Sequence, residues 1–171
     1  MIVPDCVKAR GQAEIAGLDV SGIDCHITTV SRTTEAVRVS MGQIRADRSL
    51  TGKQREGLLQ AAALGAVYSK HFSWYTTAGV YTVTHNGTFY YNGWKAWVGE
   101  YYDGYQGYHS CFVNYSSVVS IGNQDCAEAG NAFERDLLYR WQVTWPWGPP
   151  YFGLSYSVEN WGSVYGNGTR S

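Results

Sequence analysis

The 5 Phe, 7 Trp and 14 Tyr of this chain all lie after residue 67. Aromatic rings supply most of the rigid contact area in protein interiors and recognition surfaces. Residues 68 to 171 must therefore build the core, and residues 1 to 67 can add only aliphatic and small side chains to it. A chain of 171 residues is long enough for one ordinary domain.

Within the aromatic part the side chains alternate. Leu137 to Trp145 places Tyr139, Trp141, Val143 and Trp145 opposite Arg140, Gln142 and Thr144, the period of a strand with one buried face. Val80 to His85 leads into Asn86-Gly87, and Thr88 to Tyr91 follows. An Asn-Gly pair between alternating runs predicts a two-residue hairpin turn, with His85 facing Thr88. Further turns are expected at Asn92-Gly93, Asp103-Gly104 and Gly122-Asn123, and a last strand over Tyr151 to Val158. In the aromatic-free part, Ile23 to Arg32 and Thr34 to Ile44 also alternate, which predicts strands there. Thr51-Gly52-Lys53-Gln54 is a capping-box pattern. Leu58, Leu59, Ala62, Ala63, Ala66 and Val67 then recur at helical spacing.

The expected fold is mostly β: a single-domain antiparallel β-sandwich or open barrel with one packed helix over about residues 51–72 and two disulfides. Residues 1–50 would form aromatic-free N-terminal strands, free to act as an arm on a partner's sheet edge. Residues 73–161 would form the aromatic-rich β core, and 162–171 a frayed tail.

Cys6 and Cys25 form one local pair and Cys111 and Cys126 another, which fits two disulfides closing short loops. With no Cys-x-x-Cys and the pairs far apart, no metal site is expected. Disulfides place the protein outside the cell. The first residues carry no signal-peptide pattern, so for a secreted protein Met1 is expected to be a start codon added to a mature form. The apolar stretch from Gly57 to Ser69 is too short to span a bilayer. Arg140 and Lys95 interrupt what would have to be the lipid face of a membrane barrel. Thirteen basic against fourteen acidic residues give no cationic footprint for nucleic acid.

Chemistry-bearing motifs are scarce. The nucleophile elbow, the zinc-protease motif, the phosphate loop and the dinucleotide fingerprint are all missing. His85 and His109 have Asp103 and Asp125 not far along the chain, yet no two histidines fall at i, i+2 or i, i+4. The carboxylates Glu100, Asp103, Asp125, Glu128, Glu134, Asp136 and Glu159 offer no distinguished pair for glycoside chemistry. No catalytic residue and no cofactor are expected. The rings are more telling. Trp94 and Trp97 are three apart, so on a strand one of them leaves the core. Tyr101-Tyr102 splits in the same way, and Trp145, Trp147 and Tyr151 crowd a proline-stiffened bend.

The candidate binding surface is accordingly Trp94, Trp97, Tyr101, Tyr102, Trp145, Trp147 and Tyr151. The expected role is a secreted, non-enzymatic interaction protein that binds another protein, of the kind that serves as adaptor or subunit in an extracellular toxin or adhesive assembly. A carbohydrate-binding, lectin-like module is the alternative. A secreted hydrolase with a dispersed carboxylate or His site is a further one.

Overall fold

The structure is a computed structural model that describes residues 1–64, 67–102, 105–145 and 154–171. The larger sheet is antiparallel and has six strands. Its centre is β3 (Tyr68–Thr77) paired with β4 (Tyr81–Tyr91). On the outer edge of β3 lie β1 (Thr28–Thr33) and the short β2 (Val37–Arg38). The outer edge of β4 carries β5 (Ala96–Trp97) and β8 (Tyr108–Ser116). A two-stranded ribbon, β6 (Tyr101–Tyr102) with β7 (Tyr105–Gln106), lies between β5 and β8 in the chain. The smaller sheet has the order β9 (Ser120–Gly130), β10 (Glu134–Trp145), β11 (Leu154–Tyr165). Both are open sheets, and no closed barrel forms among the described residues.

The two sheets face each other as a sandwich. Tyr81 and Val83 of β4 pack with Tyr139, Trp141 and Val143 of β10 and with Tyr156 and Val158 of β11. Phe72, Trp74 and Phe89 meet Leu137 and Val164 further along the same interface. The alternation read from Leu137 to Trp145 is what buries this face: Leu137, Tyr139, Trp141 and Val143 are fully covered. Asn160 ties the layers by donating from Nδ2 to Thr76 Oγ1 at 2.9 Å.

Among the described residues there are three helices where one was expected. The N-terminal residues form α1 (Pro4–Ile15) rather than strands. Pro4 sits in its first turn, and Cys6, Ala9 and Ala13 are its buried positions, a helical spacing of small side chains without the ring or branch that marks a core. The Cys6–Cys25 disulfide fastens α1 down, and backbone bonds from Val3 N to Cys25 O and from Ile27 N to Met1 O lock its entry. This segment is therefore a lid on the sandwich, not a free arm. A short α2 (Met41–Ala46) interrupts the second expected strand, started by a Ser40–Gln43 capping box.

The helix expected over 51–72 is α3 (Gly52–Ala63). Its Thr51–Gln54 capping box is present in both directions. The helix ends early because Phe72, Trp74 and Thr76 share one face at period two, and those side chains are buried in β3. Together α2, α3 and Trp97 close a third cluster around Ile44 and Leu58, over one end of the larger sheet.

Two predicted turns are instead strand interior. Asn86-Gly87 runs straight through β4, with Asn86 opposite Ser73 and Ser110. Gly87 is needed for space: a Cβ there would strike the Tyr108 carbonyl oxygen and the Phe72 ring. Gly122-Asn123 lies within β9, where the chain has already turned at Val118 (φ 54°). Gly93 (φ +93°) does serve a turn, between β4 and β5. The Asp103-Gly104 turn lies outside the described residues. The tail is stitched down: Ser171 N donates to Ser163 O and Tyr165 N to Thr169 O.

Candidate functional site

Strand pleating sorts the larger sheet into a buried inner face and an outer face that α2, α3 and Trp97 cover only at the far end of β4. Among the described residues no helix or strand covers the rest of the outer face. Val30, Tyr75, Thr84 and Phe112 stand in one cross-strand row over β1, β3, β4 and β8. Three of them are exposed, and Thr84 lies flush between its neighbours. The next row is Arg32, Ser73, Asn86 and Ser110. His71, Thr88 and Tyr108 follow, with His71 Nδ1 3.3 Å from Thr88 Oγ1. At the opposite end Tyr115 pairs with Thr82 beyond a bulge that sets Asn114 out of register, where Thr84 Oγ1 donates to Asn114 Oδ1 at 2.6 Å. Four strands at about 4.8 Å spacing make a platform about 14 Å wide. It carries Tyr75, Tyr108, Phe112 and Tyr115 among Ser, Thr and Asn, with a shallow recess lined by Val30, Arg32, Ser73 and Tyr75.

Of the rings expected at a binding surface, Trp94 is 84% exposed, at the turn before β5. Asn92 Oδ1 accepts from the backbone N–H of Trp94 and Lys95 and fixes that turn. Trp97 is wholly buried, stacked on Tyr90 under α3. Trp145 is also interior, in the alternating buried row of β10. These two are corrections to the expected surface. Trp147 and Tyr151 lie outside the described residues, as do the side chains of Tyr101 and Tyr102. The outer-face rings were missed because only strand pairing through β4 brings Tyr75 of β3 beside Tyr108, Phe112 and Tyr115 of β8. Trp161, 69% exposed on β11, stands apart from both groups.

A second constellation joins the sandwich layers. The Cys111–Cys126 disulfide links the edge strands β8 and β9. His85 on β4 is opposite Cys111 and fully buried, its ring edge-on to Phe72, Trp74 and Tyr139. His85 Nε2 lies 3.1 Å from His109 Nδ1, and Cys126 Sγ lies 3.4 Å from that same nitrogen. On its other side, His109 Nε2 is 3.9 Å from Glu128 Oε2. Arg135 holds Glu128 Oε1 from two nitrogens at 2.7 Å, and Gly99 N–H donates to Oε2. Burial, with His109 adding to it, pushes the His85 pKa down to about 3. Burial also lowers that of His109, against the pull of Glu128. Two neutral imidazoles result. A proton on His109 Nε2 facing the carboxylate leaves Nδ1 to accept from His85 Nε2–H, and His85 Nδ1 is then buried without a partner.

Ligand atoms of His85, His109, Cys111 and Cys126 all lie within 4.8 Å of one another. Sequence spacing argued against a metal site, and the fold assembles this donor set from three strands. The readable signals were His109-x-Cys111 and Cys126-x-Glu128, each a period-two pair that a strand puts on one face. Three of the other candidate carboxylates have structural partners: Glu100 with Lys95, Glu159 with Arg140 and Asp136 with Ser163. Asp103 lies outside the described residues. Among the described residues no helix is long and apolar enough to cross a membrane. No protein-family model matches this chain, and no curated protein or solved structure matches it.

Proposed function

We propose that this chain is a secreted recognition protein without catalysis of its own, which docks on another protein through the open face of the larger sheet. The observation that carries the reading is the row Val30–Tyr75–Thr84–Phe112, flanked by Tyr108 and Tyr115. Tyr and Phe lose few rotamers on contact, and interleaved Ser, Thr and Asn adapt their hydrogen bonds, the composition of protein-binding paratopes. A broad open sheet face suits the surface of a protein better than a single small molecule in a cleft. Two disulfides fit an oxidising compartment. An adaptor or subunit of an extracellular toxin or adhesive assembly is the form such a protein takes.

The test is comparative. Proteins captured from culture medium by the wild-type chain are compared with those captured by Tyr75→Ser/Phe112→Ser, with Trp94→Ala alongside. Loss of one and the same partner by the face variant, and its retention by Trp94→Ala, is the expected result. An unchanged capture profile defeats the reading.

A second reading, a lectin-like module, is favoured by Trp94 alone. Its exposed indole is held at a turn by Asn92 beside the Lys95–Glu100 pair, and a fixed ring with polar neighbours suits stacking on the apolar face of a sugar. Glycan-array binding abolished by Trp94→Ala and untouched by the face variant would favour it.

A further inference from the structure

We propose that reduction of the Cys111–Cys126 disulfide converts the His85–His109–Cys111–Cys126 cluster into a tetrahedral zinc site. Two imidazole nitrogens and two thiolate sulfurs are the donors that Zn²⁺ takes in closed structural sites. All four donors converge within 4.8 Å. His85 Nε2 and His109 Nδ1, 3.1 Å apart, already span one edge of such a tetrahedron, which is about 3.3 Å for zinc–nitrogen bonds.

The sulfurs must separate to about 3.7 Å, from zinc–sulfur bonds of about 2.3 Å. They sit on β8 and β9, the outermost strands of their sheets on this side. No interior strand has to shift.

The surroundings match a metal as well as the donors do. Glu128 faces the far nitrogen of His109 and is itself clamped by Arg135 and the Gly99 N–H. This is the carboxylate–histidine support that orients metal-bound imidazoles and raises their basicity. Two thiolates neutralise Zn²⁺, so the occupied site carries no net charge where it adjoins Phe72, Trp74 and Tyr139, the ring neighbours of His85.

The chemistry balances with a dithiol reductant. Its two sulfhydryls deliver two electrons and two protons to the S–S bond and leave as a disulfide, which gives thiols at Cys111 and Cys126. Zinc then displaces both thiol protons to solvent. Exchange with an added disulfide oxidant reverses the step: it takes two electrons from the thiolates and two protons from solvent to become a dithiol, the Cys111–Cys126 bond re-forms, and Zn²⁺ is released.

The experiment uses the full chain, reduced with a dithiol, freed of it, and titrated with Co²⁺ and then Zn²⁺. One equivalent of Co²⁺ is expected, with the intense visible bands of a tetrahedral ion and thiolate-to-cobalt charge transfer, bleached by one equivalent of Zn²⁺. The oxidised chain should give no such bands. Glu128→Gln, which removes no ligand, should weaken binding about 10- to 100-fold, and His109→Ala by more. The double variant Cys111→Ser/Cys126→Ser, which retains Cys6 and Cys25, should lose the charge-transfer bands. Bands that survive in that double variant, or full binding by the oxidised chain, overturn the proposal. So does a reduced wild-type chain that remains folded and takes up no metal.

Discussion

His85 Nε2 and His109 Nδ1 meet at 3.1 Å across β4 and β8, one ring sealed in the sandwich and the other partly buried beside the Cys111–Cys126 disulfide. Burial holds both rings neutral, which has a consequence for acid stability.

His85 titrates near 6.5 when unfolded and is held at about 3 in the folded chain. Its folded pKa is depressed, so the unfolded chain binds the extra proton. The contribution is whole above pH 6.5 and is lost as pH falls from 6.5 towards 3. Each unit in that window costs about 1.4 kcal/mol. Thermal unfolding from pH 7.5 to 4.5 should show a falling Tm, and His85→Leu, whatever its own Tm, should show a shallower slope. Equal slopes would mean that His85 is not the group responsible.

Removing the Cys6–Cys25 bridge by double alanine substitution should cost about 3 kcal/mol, the loop-entropy value for a separation of 19 residues. It should also loosen α1. Chemical denaturation gives the first quantity, and trypsin cleavage at Lys8 and Arg10 reports the second. Unchanged protection would show that packing against β11 holds the helix without the sulfur bond.

Gly87→Ala should destabilise by about 3 kcal/mol or prevent folding, since the new methyl meets backbone on one side and the Phe72 ring at 2.8 Å on the other. Gly22→Ala, where nothing lies within 4 Å, serves as the control. A denaturation midpoint for Gly87→Ala equal to the wild type would contradict the close approach of β4 and β8.

Rings that look alike in sequence should separate sharply in stability. Trp97→Ala should cost about 3–5 kcal/mol, as for a large ring removed from the interior. Trp94→Ala and Phe112→Ala should stay within about 0.5 kcal/mol. Urea midpoints of the three variants decide it, and a strongly destabilised Trp94→Ala would mean that the turn before β5 is structural.

The sandwich was legible where periodicity was clean. Leu137 to Trp145 alternates, and Leu137, Tyr139, Trp141, Val143 and Trp145 bury as a row. The Thr51–Gln54 box marks the start of α3, and local pairing of the cysteines matches both disulfides. Illegibility has distinct physical sources. Cys6, Ala9 and Ala13 form a helical stripe too small to register as apolar, so α1 was read as part of a strand-rich arm. Asn86-Gly87 has turn chemistry, but two flanking strands claim its backbone and the glycine is spent on a close approach. The open face and the His–Cys cluster both need partners distant in the chain, such as Val30 with Tyr75 and His85 with His109. Pairing of that range leaves no mark in local spacing beyond His109-x-Cys111 and Cys126-x-Glu128.

Asn86 and Asn114 both project onto the open face, where Asn86 Oδ1 accepts from Ser110 and Asn114 Oδ1 from Thr84. Each begins an Asn-x-Ser/Thr tripeptide, Asn86-Gly87-Thr88 and Asn114-Tyr115-Ser116. A eukaryotic secretory host would read these as attachment points for bulky, hydrophilic oligosaccharides. Material made in such cells would carry its sugar chains over Tyr75 and Phe112, whereas bacterially made material would leave those rings bare. The choice of expression host therefore decides whether the platform can be assayed at all.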